Sequence, residues 1–263
     1  VGIGLMLGSV VFLALTSVLP QSAMLSYGWR IPFLLSFLMV AVGLALRLKV
    51  DETPLFRKAK ERGLLVAVPS RDTFRKYWRE VLLGTVIAGS LGTIFYVGAV
   101  LLPTYYSLLG LSPSSVFLGA FAFAASEVTF VFVGGALGDA AGRKPVLLIA
   151  NGLPLLAVYP VFLFHSVATF FAAMVLFGFF HGVGYSPLAA LIAEIFPTNV
   201  RYTGSSSAYQ FGNAFLGGPA SYVSADLGSL SVLLYPLYMI VLSVITLGFI
   251  LRARESKEVS MEG

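Results

Sequence analysis

The stretch Gly135-Ala-Leu-Gly-Asp139-Ala-Ala-Gly142-Arg143-Lys144-Pro145 decides the fold, because it sets a glycine-spaced acid and a basic pair between two long apolar runs. Charged side chains enter a hydrocarbon layer only at a cost of a few kcal/mol each, so the runs on either side read as two membrane spans joined by a short polar turn. Windows of roughly 19 or more apolar residues, enough to cross a core of about 30 Å, recur along the rest of the chain. Eight are expected, near 1 to 22, 31 to 49, 80 to 102, 114 to 138, 146 to 165, 168 to 193, 204 to 223 and 230 to 251. All should be helices, because lipid offers no partner to an open backbone amide.

Composition narrows the class. A chain of 263 residues that is 58% hydrophobic and 11% charged has too few polar side chains to cover a water-soluble globule. Cysteine is absent, which removes disulfides and thiolate metal sites. The net charge of +5 lies between apolar spans rather than on one face of a soluble module, so the expected surface partner is the lipid bilayer and not nucleic acid. No H-E-x-x-H, P-loop or G-x-S-x-G pattern occurs, so neither ATP hydrolysis nor a metal or cofactor is expected, and the chain does not read as an enzyme. Val1 opens directly into an apolar span without a basic leader or a cleavage site. With no initiating Met, the expectation is a fragment.

Basic residues set the topology, since short cytoplasmic loops accumulate Lys and Arg. When the eight spans are threaded alternately, 16 of the 17 fall on one side and only Arg30 on the other. Both ends are therefore expected in the cytosol, in a multi-pass protein of the plasma membrane. Ten of the 16 run from Arg47 and Lys49, at the end of the second span, through the long polar stretch that precedes the third, which holds eight of them and reads as a linker dividing two spans from six. Within it, Phe74-Arg75-Lys76-Tyr77-Trp78-Arg79 has the makings of an amphipathic surface helix or of a plain basic anchor.

Three further segments join the opening loop: Tyr27-Gly28-Trp29-Arg30-Ile31-Pro32-Phe33-Leu34-Leu35-Ser36, Asp51-Glu52-Thr53-Pro54-Leu55-Phe56, and Glu194-Ile195-Phe196-Pro197-Thr198-Asn199-Val200-Arg201-Tyr202-Thr203-Gly204. In this order around an eight-span pattern they resemble the major facilitator superfamily, and within it the metabolite:proton symporters for 2-oxoglutarate, citrate, shikimate and proline or betaine. Sugar porters share related signatures. The resemblance implies an all-α integral membrane fold with eight helices equivalent to helices 5 to 12 of twelve. Residues 1–49 would end a first six-helix bundle, 50–79 would be the cytoplasmic linker, 80–252 a second bundle and 253–263 a tail. It further implies proton-coupled symport of a small polar metabolite, an organic acid or zwitterion, by a full-length protein that is monomeric. An exporter of drugs or amphiphiles and a metabolite sensor that does not transport are the alternatives. The position after Asp139, often basic in the family loop, is Ala140 here, so one implied contact has no counterpart.

Of the 12 acidic residues only Glu127 falls near the middle of a span. A charged carboxylate there costs about 3 kcal/mol on insertion scales, so it should face protein or a watery cavity. It reads either as a proton-carrying or substrate-contacting group, or as a neutral acid bonded to a neighbouring helix. His181 lies at a similar place in the sixth span, where an imidazole suits proton exchange and equally suits a bond across a close helix contact. Tyr209, Gln210 and Asn213 on the seventh span, and Tyr96 with Ser90 and Thr93 on the third, offer neutral donors and acceptors to a substrate or to each other. His165 reads as structural. Gly135, Asp139, Gly142, Arg143 and Lys144, together with a Glu194 and Arg201 pair, are implied by the resemblance to hold a cytoplasmic gate, with solvated helix-end charges as the alternative. The glycines around Gly89 and Gly182 should let helices approach closely, and Pro103, Pro160, Pro187 and Pro219 should mark kinks or ends.

Overall fold

A computed structural model describes residues 2–48 and 69–253, and every element among them is helical. The segment Asp51 to Phe56, most of the expected linker and the tail after Ala253 lie outside the described residues. In chain order the helices are α1 (Gly2–Val18), α2 (Gln21–Ser26), α3 (Ile31–Arg47), α4 (Pro69–Lys76), α5 (Trp78–Tyr96), α6 (Leu102–Leu108) and α7 (Pro113–Ala141). There follow α8 (Arg143–Gly152), α9 (Pro154–Leu163), α10 (Val167–Glu194), α11 (Arg201–Phe211), α12 (Ala220–Leu230) and α13 (Leu237–Arg252).

Among the described residues, six helical stretches are long and apolar enough to cross a membrane: Gly28–Arg47, Trp78–Leu108, Pro113–Ala141, Arg143–Leu163, Val167–Glu194 and Val232–Arg252. The chain is a multi-pass membrane protein. The remaining two expected spans correspond to α1, an apolar helix of 17 residues, and to a run from α11 to α12 that is interrupted at Gly218-Pro219. The third span continues to Leu108, beyond the expected end at 102, because a wider helical turn just before Pro103 lets the helix run past a residue that has no amide to donate. A π-helical segment, Val97–Leu101, joins α5 to α6, and a second, Gly212–Gly217, follows α11. Pro160 and Pro187 lie inside continuous helices, while Pro219 stands at a break. The expected surface helix around Phe74 is split, with α4 ending at Lys76 and the first membrane turn starting at Trp78.

Burial is uneven along the chain. The buried hydrophobic side chains among the described residues all fall between Val81 and Ile250, with Phe123, Phe162, Phe170 and Phe177 at the centre. In α1 and α3 apolar side chains such as Leu7, Phe37 and Leu44 are exposed, as expected of surfaces that meet lipid or further helices.

The centre of the fold is the pair α7 and α10. Each starts on a serine cap, Ser112 accepting from the Ser115 amide and Ser166 from the Thr169 amide. At 29 and 28 residues they are about 43 Å long, and they run side by side in the same direction. Glycine sets their spacing: a Cβ at Gly178 would lie 2.3 Å from the Phe123 carbonyl oxygen, and one at Gly182 2.6 Å from that of Glu127. Any side chain at either position would push the two backbones apart.

Candidate functional site

Glu127 is the fifteenth residue of α7 and His181 the fifteenth of α10, so the glycine contact brings them level. His181 Nδ1 lies 3.0 Å from Glu127 Oε1, and the two side chains are only 6% and 3% exposed. One position away, the Ser126 hydroxyl donates to the Val175 carbonyl at 2.8 Å and fixes the same register. Glu127 Oε2 is buried with no hydrogen-bond partner among the described residues.

Aromatic rings extend from the pair. The His181 ring sits 5.0 Å from that of Phe95 and 5.5 Å from that of Tyr185, and Tyr185 meets Tyr209 edge to face at 6.5 Å. Tyr185 and Tyr209 in turn line a cavity of about 270 Å³ between α10 and α11, on the Glu194 side of His181, with Ile192, Ser205 and Ser206. The arrangement is a dry acid and base pair joined through rings to an accessible hollow. Tyr185 and Phe95 were not singled out from the sequence. The spacing of four between His181 and Tyr185 is the signal that places both on one helix face.

The other polar candidates divide. Gln210 is exposed, whereas Asn213, within the second π segment, donates to the Tyr209 carbonyl at 2.9 Å and packs its Oδ1 against Gly92. Tyr96 is half-buried, and its carbonyl accepts from the Ser221 hydroxyl at 3.1 Å. Ser90 and Thr93 do not form a set with it. Ser90 donates to Asn151 at 2.8 Å inside the core, and Thr93 to the Gly89 carbonyl at 2.9 Å. Both are helix-to-helix or intrahelical ties, and Asn151 is a buried polar residue that hydropathy alone hides among its apolar neighbours. His165 bonds the Tyr105 hydroxyl at 2.7 Å, a structural link at the end of α9.

A second cluster lies where α7 and α10 end. Gly142, at φ 101°, breaks α7 and lets α8 begin at the next residue, a backbone conformation that favours glycine. Arg143 then reaches Asp139 at 2.8 Å, Glu194 at 3.2 Å and the Gly138 carbonyl at 2.8 Å. Gly135 packs on Ser186, where an added Cβ would stand 2.9 Å from the hydroxyl. Lys144 Nζ donates to the carbonyls of Leu251 at 2.6 Å and Ala253 at 3.1 Å, tying α8 to the carboxyl end of α13. The expected pairing of Glu194 with Arg201 is replaced: Glu194 meets Arg143, and Arg201 donates to the Phe196 carbonyl at 3.2 Å. Arg201 starts its own helix only five residues beyond Phe196, so its guanidinium closes the intervening turn instead of crossing to Glu194.

The described residues contain no cluster of His, Cys, Asp or Glu suited to a metal ion. Two overlapping matches to the family model described as Major Facilitator Superfamily span residues 1–220 and 118–261. The chain belongs to that superfamily. Among similar proteins, an inner membrane metabolite transport protein of Escherichia coli is 30% identical over 98% of this chain and 61% of its own length. A citrate-proton symporter of Salmonella typhi is 29% identical over 87% of this chain and 54% of its own length. A glycine betaine/proline/ectoine/pipecolic acid transporter of Dickeya dadantii is 29% identical over 93% and 52%. The chain thus spans between about half and two thirds of the relatives it matches. In this superfamily member the buried pair and the charged cluster both bridge α7 to α10, about 18 Å apart along the helix at 1.5 Å per residue.

Proposed function

We propose that this chain is part of a secondary active transporter that moves a small polar metabolite, an organic acid or zwitterion, together with a proton. The observation that carries the proposal is the Glu127 and His181 contact at 3.0 Å, dry, at the midpoint of two membrane helices, with one carboxylate oxygen left bare. An acid and an imidazole in that setting can hold and release one proton while the protein changes shape. The names of the citrate-proton symporter and of the betaine and proline transporter among the relatives support a proton partner and a small polar substrate.

On this reading the eight expected helices correspond to helices 5 to 12 of twelve. Residues 1–49 close a first bundle, 50–79 link it, 80–252 form a second bundle and 253–263 a tail. The bundles rock about a midplane site of a monomeric protein, with both ends of the chain in the cytosol. Tyr209 and Tyr96 line the substrate path with Asn213, and Gln210 faces the other bundle. Asp139, Arg143, Lys144, Glu194 and Arg201, set by Gly135 and Gly142, hold the cytoplasmic end shut and release it in turn. The uneven burial supports the division of two helices from six.

The test is accumulation in proteoliposomes under an imposed pH gradient together with a potential, the potential acting where substrate plus proton carries net charge, as a zwitterion with its proton does. One charge moved through 100 mV supplies about 2.3 kcal/mol, equivalent to accumulation of roughly 50-fold. Glu127→Gln should reduce accumulation to simple equilibration while leaving exchange of labelled for unlabelled substrate intact. Full accumulation by the variant would overturn the role given to Glu127.

A further inference from the structure

Glu127 meets a third helix besides its own and that of His181. Helix α1 runs antiparallel along α7, from Gly2 beside Glu127 to Phe12, whose ring stacks on Phe117 at 5.0 Å. At its first residue the approach is close enough that a Cβ on Gly2 would lie 3.2 Å from Glu127 Oε2 and 2.6 Å from Val128 Cγ2. Gly2 is itself buried, whereas Gly4, two residues on and on the opposite side of the helix, is exposed and an added Cβ there meets nothing within 4 Å. The oxygen that Gly2 covers is the one that has no hydrogen-bond partner, since Oε1 is taken by His181.

We infer that Gly2 is the seal of the proton site: its bare backbone closes α1 over Glu127 Oε2, and water reaches that oxygen only when α1 and α7 part. This rests on the proposal that Glu127 carries the proton, and adds to it which oxygen does so and what controls access. Oε1 keeps the His181 hydrogen bond through the cycle, so Oε2 is the atom that gains and loses the proton. Within the closed pair a proton can pass between Oε1 and His181 Nδ1, but exchange with water at Oε2 needs a water in contact, so the α1 contact makes that exchange conditional on helix separation. A residue with a side chain at position 2 would wedge the helices open and leave the site wet in every state.

The experiment measures reaction of Glu127 with a water-soluble carbodiimide and a small amine, read by mass spectrometry of the peptide that holds it, in the intact protein in liposomes. Gly2→Leu should label about tenfold faster than the parent, since labelling tracks the fraction of molecules in the open form. Gly4→Leu should label at the parent rate. Gly2→Ala should fall between, and adding Val128→Ala to it, which clears the nearer clash, should return labelling toward the parent. The same Gly2 variants should pass protons without substrate.

Parent-rate labelling in both Gly2 variants, or equal acceleration in Gly4→Leu, would overturn the seal. Should Gly2→Leu fail to fold, the Gly2→Ala and Val128→Ala pair decides by the same readout. The two proposals separate cleanly: faster labelling in Gly2→Leu alongside undiminished accumulation by Glu127→Gln keeps the seal and removes the proton role.

Discussion

The same two helices, α7 and α10, are joined twice by charge, and the two junctions are built on opposite terms. At mid-span a single carboxyl meets a single imidazole, both almost fully buried, and one oxygen is left without a hydrogen bond. At the helix ends one guanidinium serves two carboxylates and a carbonyl, and Asp139 is 76% exposed. Losing a member of the dry pair strands a polar group in a place that water does not reach, which is costly. At the helix ends the cost depends on the member: losing the exposed Asp139 leaves solvent to take its place, which is cheap, whereas losing Arg143, 14% exposed, takes a charged partner from Glu194, 8% exposed. A group meant to switch charge state gains from the first arrangement, and a contact meant to break and re-form in every cycle gains from the second.

That contrast can be broken by experiment. His181→Leu takes from Glu127 its described hydrogen bond and should cost about 3 to 5 kcal/mol if the carboxylate stays charged, seen as lowered resistance to denaturant in detergent. His181→Gln, which keeps a donor, should recover most of the loss. Arg143→Ala should cost less, about 2 to 3 kcal/mol, because Glu194, although only 8% exposed, stands at a helix end where its carboxylate can turn toward water. Equal losses in the two variants would erase the distinction between the junctions. Salt sharpens it further, because raising ionic strength from 0.1 to 1 M shortens screening from about 10 Å to about 3 Å. The Arg143→Ala deficit should shrink in high salt while that of His181→Leu stays constant. The smallest effect belongs to Asp139→Asn, which should change stability by less than about 0.5 kcal/mol in the same measurement.

How much of this could be read beforehand differs between the junctions too. Glu127 and His181 stand out in sequence because each is an ionisable residue in the middle of an apolar run, where insertion cost makes an accident improbable. Their contact, by contrast, depends on how α7 and α10 are rotated toward each other. Both helices are apolar around most of their circumference, so periodicity does not say which face is inward. Glycines at 178 and 182 fix that rotation, and their meaning emerges only when the facing carbonyls of Phe123 and Glu127 are known. At the ends of the helices the charges were visible but the partners were not, since Arg143 and Glu194 are 51 residues apart and nothing local selects one acid over another. All eight expected spans read as apolar runs, and six of them correspond to described helices long and apolar enough to cross a membrane; α1 is apolar but 17 residues long, and the run from Arg201 to Leu230 is poorer in apolar residues and carries its helix break in the Gly218-Pro219 pair. The π segments had no signature in composition at all.

One of those segments has a consequence for how this protein can change over time. Between Gly212 and Gly217 the helix carries a wider turn, and the Leu216 carbonyl inside it accepts from both Tyr238 at 2.8 Å and Thr93 at 3.4 Å, stitching α5 and α13 to the same point. A wider turn of this kind amounts to one extra residue in an α-helix. Deleting a residue there would restore the regular α turn and leave the chain beyond it close to its present orientation, whereas the same deletion in an ordinary α-helical stretch would turn everything beyond it by about 100°. The segment therefore lets the helix carry one residue more within the turn that holds Asn213 and Leu216, without re-aiming the chain that follows.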